Sequence, residues 1–328
     1  MRAQTLCLEP QTRREVRLKR SARTAPPFWL VVSAFAAVYL IWGSTYLGIR
    51  LAIDSMPPLL MAGARFLIAG SILYPVMRLR GAPRPQPVHW RSAAAIGALL
   101  LLAGNGGVTW AQQTVPSSIA ALMVAAVPLW INLIEWVRPK GQRPHRAVFL
   151  GLGLGFAGVA LIVLSKGAGG QSLVNPAGAA VLLLAPLCWA LGSIFSRHAA
   201  QNESALLNVA MQMICGGALM LLIGLAAGEA RHFHPAQVTA ASAWAFLYLT
   251  LIGSLVGFTA YVWLLQVSTP ARVSTYAYVN PFIALLLGRV VLHEPLPASV
   301  LLAGTCIIAA VMLITTAKAR KETGGASR

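Results

Sequence analysis

The residues best able to meet a solute lie inside otherwise apolar runs. Tyr39, Trp42 and Tyr46 stand at i, i+3 and i+7, one face of a helix, and Trp189, Ser193 and Ser196 form an equivalent stripe later in the chain. Asn105, Thr109, Gln112 and Gln113 follow helical spacing in a third run; Tyr261, Trp263 and Gln266 mark a fourth. In a fifth, Ser274, Tyr278 and Pro281 share a face, with Asn280 beside it. Polar groups in such runs are costly unless they face protein or a water-filled cavity. The chemistry they offer is binding: ring faces for apolar or cationic groups, amides and hydroxyls for hydrogen bonds. The candidate solute-binding set is therefore Trp42, Tyr46, Asn105, Gln113, Trp189, Ser193, Tyr261, Trp263, Tyr278 and Asn280. Plain helix packing is the alternative reading for its mid-run members. Pro128 and Pro281 remove a backbone donor mid-run and are candidate hinges, with static kinks the alternative.

Two ionisable groups fall within these runs. Arg65 reads either as a structural cation satisfied by backbone carbonyls or snorkelling, or as a partner for a solute carboxylate. Glu135, near the end of its run, is expected to pair with Arg138. No H-E-x-x-H, G-x-S-x-G or paired carboxylate occurs, so no catalytic residue is assigned and no enzyme is expected. Cys7, Cys188, Cys215 and Cys306 lack metal spacing, so neither a metal site nor a cofactor is implied. Gly151-Leu-Gly-Leu-Gly155 only mimics a dinucleotide loop, because no strand precedes it.

The elements that must position these residues follow from composition. Of 328 residues 57% are hydrophobic and 10% charged, against about 25% charged in soluble proteins. The mean hydropathy is +0.70. Ten runs are long enough for the roughly 20 residues a bilayer crossing needs: 29–49, 59–78, 92–111, 116–138, 147–166, 177–197, 204–228, 243–266, 271–293 and 296–316. The expected fold is an all-α polytopic membrane protein. Of the 26 Lys and Arg, twenty-one fall on one side of alternate loops and four on the other. That bias places both termini in the cytoplasm and makes the +18 charge a topology signal rather than a nucleic-acid footprint.

Sliding the chain against itself reveals a duplication. At an offset of 147, Leu40, Trp42 and Arg50 match Leu187, Trp189 and Arg197; at 153, Gly104, Trp110, Gln113 and Pro128 match Gly257, Trp263, Gln266 and Pro281. Each unit holds five spans, an odd number, so the second is expected inverted in the membrane. The organisation is a basic tail 1–28, a repeat 29–166, a repeat 177–317 and a tail 318–328. Inverted repeats of this kind mark secondary transporters that bind near the midplane and rock one half against the other.

Trp42-Gly43-Ser44, Arg65-Phe66, Pro128, Pro281, Pro144…Gly151 and Glu294-Pro295…Gly304 together resemble the EamA-type drug/metabolite transporter superfamily across about residues 29–317. The resemblance implies a 5+5 inverted-repeat carrier, often an exporter of amino acids, metabolites or toxic compounds. Gly141 stands in the first repeat where the second has Glu294, which departs from a symmetric acid pair. The expectation is a multi-pass inner-membrane carrier for a small organic solute, with the lipid bilayer as its surroundings and a homodimer among the assemblies open to it. A membrane-embedded enzyme or a non-transporting scaffold is the alternative.

Overall fold

The computed structural model describes residues 26–138, 146–166, 172 and 174–325. The tail 1–25, the loop 139–145 with Lys140, Gly141 and Arg143, and residues 167–171, 173 and 326–328 lie outside the described residues, and with them part of the charge count. Among the described residues, nine helices are long and apolar enough to cross a bilayer, and a tenth apolar helix is shorter. They run α1 (Phe28–Ala52), α2 (Pro58–Leu79), α3 (Pro87–Ala111), α4 (Ser117–Val137), α5 (Arg146–Leu164), α6 (Pro176–Ser196), α7 (Ala205–Ala226), α8 (Ala240–Val267), α9 (Tyr276–Val291) and α10 (Ala298–Thr316).

Local chemistry sets the boundaries. Proline opens α2, α3 and α6 at the first helical position, where its missing N–H costs nothing. Side chains cap other starts: Asn175 Oδ1 accepts from Gly178 N at 2.6 Å and Thr239 Oγ1 from Ser242 N at 3.2 Å. The turns after α2 and α7 use Gly81 (φ +87°) and Gly228 (φ +80°) in the left-handed region.

Four helices depart from regularity, in matched pairs. In α4, residues Ser117–Val124 and Val127–Val137 form separate pieces. Pro128 accounts for the break: its ring meets the carbonyl four residues back, that of Val124, and supplies no N–H. The ninth span, expected at 271–293, is a short turn Pro270–Val273 followed by Tyr276–Val291. The middles of α3 (Ala98–Gly106) and α8 (Leu249–Val256) are wound as π-helix, a form that concentrates at functional sites.

Helix pairing exchanges between the halves. Helix α1 packs on α8 and α9, as α6 packs on α3 and α4; α2 pairs with α7 and α5 with α10. Lipid is as apolar as leucine, so close packing rather than the hydrophobic effect must hold such pairs. Small residues supply it: a Cβ on Gly217 would fall 2.6 Å from Leu67 N, and one on Gly158 2.9 Å from Ala303 O. A Cβ on Gly153, by contrast, would meet nothing within 4 Å among the described residues. Outward-facing Leu150, Leu184, Leu222, Phe282 and Leu302 are exposed, a surface suited to hydrocarbon.

Candidate functional site

A cavity of about 490 Å3 lies where the two halves meet. Every irregular stretch just described contributes to its wall: Asn105 from α3, Pro128 from α4, Ser254 from α8, and Ser274, Tyr276 and Pro281 around the α9 break. Irregular backbone is tolerated at membrane depth where it lines a cavity.

One flank is aromatic. Trp42 contacts Phe258 edge-on (centroids 5.2 Å), Tyr261 (5.0 Å) and Tyr276 (5.3 Å), and Tyr261 meets Tyr276 at 5.7 Å. The Trp42 indole donates to Gly253 O at 3.3 Å, a carbonyl within the π-helical stretch of α8. Trp42 also presses on Gly257, where a Cβ would stand 2.6 Å from Nε1. The repeat-matched pair behaves likewise: a Cβ on Gly104 would fall 2.1 Å from Cδ1 of Trp189. Each half thus seats its tryptophan in the glycine notch of the other.

The polar flank holds Arg65 and Asn105, joined by a 3.3 Å bond from Nη2 to Oδ1. Asn280 is buried; with its amide nitrogen turned to the carbonyls it donates to Tyr39 O (3.2 Å) and Tyr276 O (3.3 Å), tying α1 to α9. Tyr39 and Thr275 add a hydroxyl–hydroxyl bond between the same elements. Arg197, in line with the α6 stripe, reaches the rim and pairs at 2.9 Å with Glu135 of α4, the acid expected to pair with Arg138.

Of the candidate set, Trp42, Tyr46, Asn105, Trp189, Ser193, Tyr261 and Asn280 line this cavity, as do Pro128 and Pro281. Gln113, Trp263 and Tyr278 are absent from its wall. Gln113 is exposed and donates to Trp110 O at 3.0 Å; its neighbour Gln112 is the buried amide. Trp263 packs in the cluster of Val38, Leu264 and Val273. Tyr278 gives way to Tyr276 because the break at 274–275 resets the face that a continuous helix would present. Phe258 and Tyr276 went unread in the sequence, although both are aromatic residues in apolar runs.

Arg197 and Leu265, exposed lining residues, lie where α6 and α8 terminate, and Thr315, near the end of α10, lines the cavity as well. The starts of α2 and α4 are capped by carboxylates from the other half. Glu229 accepts from Leu59 N (3.2 Å) and Leu60 N (2.9 Å), and buried Glu294 accepts from Ser117 N (2.7 Å) and Ser118 N (3.0 Å).

Comparison with known proteins decides the family. The EamA-like transporter family matches residues 29–164 and again 176–316. The chain belongs to that family. It is 38% identical over 286 residues to the uncharacterized inner membrane transporter YedA of Escherichia coli K12, covering 87% of this chain and 90% of that protein. It is 25% identical over 294 residues to a probable amino-acid metabolite efflux pump of Salmonella typhimurium LT2, covering 84% and 91%. A solved crystal structure shares the fold with a TM-score of 0.60 at 21% identity, over 89% of this chain and 98% of that one. As a member of the EamA-like family, the protein is a polytopic helical membrane transporter for small solutes.

Proposed function

We propose that the chain exports a small amphipathic organic solute across the inner membrane by alternating access. Residues 29–166 and 177–317 act as inverted five-helix repeats, with both termini in the cytoplasm. The observation that carries this reading is one cavity walled by matched residues of both halves, Trp42 with Trp189 and Pro128 with Pro281. On the charge bias, the ends of α6 and α8, where exposed Arg197 and Leu265 line the cavity, face the cytoplasm, and we read that arrangement as the loading state of an exporter. The inner-membrane name of YedA supports the location, and the efflux-pump name of the Salmonella relative supports the direction. Glu229 and Glu294 then close the periplasmic end, and opening it requires breaking their helix-capping bonds while the α3–α4 and α8–α9 hairpins exchange roles.

The test is accumulation in inverted membrane vesicles incubated with a mixture of amino acids and small organic acids and amines, with and without a proton gradient. At least one solute should accumulate in vesicles containing the protein and not in controls. Uptake only into right-side-out vesicles would overturn the exporter reading.

A further inference from the structure

Gln112 caps the end of α3 and is 1% exposed. Neither its Oε1 nor its Nε2 meets a partner among the described residues. Val108, Ala111 and Val115, on either side of it in the chain, belong to a large apolar cluster. A buried amide keeps its full desolvation cost when no hydrogen bond replaces water, so nearly all such groups in folded proteins are paired. Ser117, at the start of α4, repeats the anomaly: it is fully buried, and its Oγ has no partner among the described residues. Two orphaned polar side chains thus flank the α3–α4 link.

The internal repeat indicates where Gln112 belongs. At the offset of 153 residues, Asn105 matches Phe258, Val108 matches Tyr261 and Gln112 matches Leu265. Each triplet stands at i, i+3 and i+7, on one helical face. In α8 all three members line the cavity, and Leu265 is 41% exposed. In α3 Asn105 and Val108 line it, but Gln112, one turn beyond Val108, does not. One half therefore presents the whole face to the cavity, while the other keeps its last member buried.

We propose that Gln112 is a latent member of the cavity wall: when the carrier opens to the periplasm, its amide takes the place that Leu265 holds in the present state and contacts the passing solute. The inference rests on the alternating-access reading above and adds to it a residue of the exchanged state. Inverted repeats swap conformations between the two states, so α3 then presents the face that α8 presents in this one. Uncovering Gln112 gives its carbonyl and NH2 water or solute to bond, which returns the desolvation cost and favours the periplasm-open state. The two mouths differ in chemistry. A solute meets a leucine on the cytoplasmic side, and on the periplasmic side an amide with one acceptor oxygen and two donor hydrogens.

The experiment uses the full-length chain with its four native cysteines replaced and single thiols placed at Gln112, Leu265 or Ser117. A membrane-impermeant methanethiosulfonate is added to right-side-out and to inverted membrane vesicles. Exchange between the states needs no solute, so the reagent alone reports it. Leu265→Cys should react from the cytoplasmic side. Gln112→Cys should react from the periplasmic side only, at least about tenfold more slowly, because its thiol is buried in the present state. Labelling of Gln112→Cys from the cytoplasmic side, or from neither side, would overturn the proposal.

A second variant does not depend on a thiol at position 112. Gln112→Leu copies the matched residue and removes the orphaned amide at similar volume. It should melt at the same temperature or higher, while periplasmic labelling of Ser117→Cys falls about fivefold or more, the scale of one unmet polar group. A lower melting temperature, or labelling that is unchanged or faster, would sink the idea that an unpaired amide favours opening. The two readings fail separately. Periplasmic labelling of Ser117→Cys with Gln112→Cys silent defeats this inference and leaves alternating access standing. Periplasmic labelling of Gln112→Cys in a chain that accumulates no solute in vesicles counts against the carrier reading and not against the uncovering of Gln112.

Discussion

Ser118 Oγ donates to Glu294 Oε2 at 2.5 Å, across 176 residues of sequence. The same carboxylate takes the backbone N–H groups of Ser117 and Ser118, so one side chain from the α9–α10 link holds the start of α4 by three bonds. His293, at φ +55°, turns the chain immediately before it. Gly288 leaves it room, since a Cβ there would stand 2.6 Å from Oε2. This contact joins the two halves. Removing a buried charged acceptor leaves its donors unpaired, at a cost of about 1.5–3 kcal/mol per charge-assisted bond.

Glu294→Ala should therefore weaken the closed end. We expect a cysteine at Ser117 to react with a membrane-impermeant maleimide about tenfold faster in the Glu294→Ala background than alone. Ser117 is fully buried and its Oγ has no partner among the described residues, so the reporter thiol itself breaks no side-chain bond seen there. An unchanged labelling rate would show that Glu294 is not the restraint.

The glycine notches predict a steric effect. Gly104→Ala places a methyl 2.1 Å from the Trp189 ring, and Gly257→Ala one 2.6 Å from Trp42. Each should displace its indole, lower stability by about 1–3 kcal/mol in thermal unfolding and reduce transport several-fold. Transport at wild-type rates in both variants would mean that the indole positions are not needed.

Trp42→Ala and Trp189→Ala should abolish transport while the protein still inserts and elutes as a folded species in detergent. Trp42→Phe should retain part of the activity, because a smaller ring keeps some of the contact with Tyr261 and Tyr276. Normal flux in both alanine variants would reassign these residues to packing.

Alternating access predicts opposite responses at the two ends. With the four native cysteines removed, single thiols at Ser117 and Ser268 start from different exposures: Ser117 is fully buried, and Ser268, which ends α8, is partly exposed. A transported solute should raise labelling at Ser117 and lower it at Ser268. Parallel changes at both would count against rocking.

Topology is testable without a substrate. Reporter fusions after residue 85 and at the C-terminus should read cytoplasmic, and fusions near residues 170 and 234 periplasmic. A cytoplasmic reading at 170 would contradict the inverted arrangement.

The apolar runs by themselves determined the helices, because a chain with 57% hydrophobic residues has few places to turn and marks them with Pro and Gly. They also delivered Trp42, Trp189, Asn105 and Pro128 as cavity residues, since a polar or aromatic group in a lipid-facing run is conspicuous for its cost. Helical spacing failed at Tyr278 and Gln113, where it assumes an unbroken period. The break at 274–275 and the turn that ends α3 at Ala111 shift which residue faces inward. What only the tertiary structure decided was partnership. Sequence spacing cannot say that Glu294 reaches Ser117 and Ser118, that Glu135 meets Arg197, or that Arg65 meets no acid among the described residues, because each is fixed by which helices pack together. Charge balance inside a membrane protein is settled between helices distant in sequence, where a missing partner is visible only once every neighbour is in place.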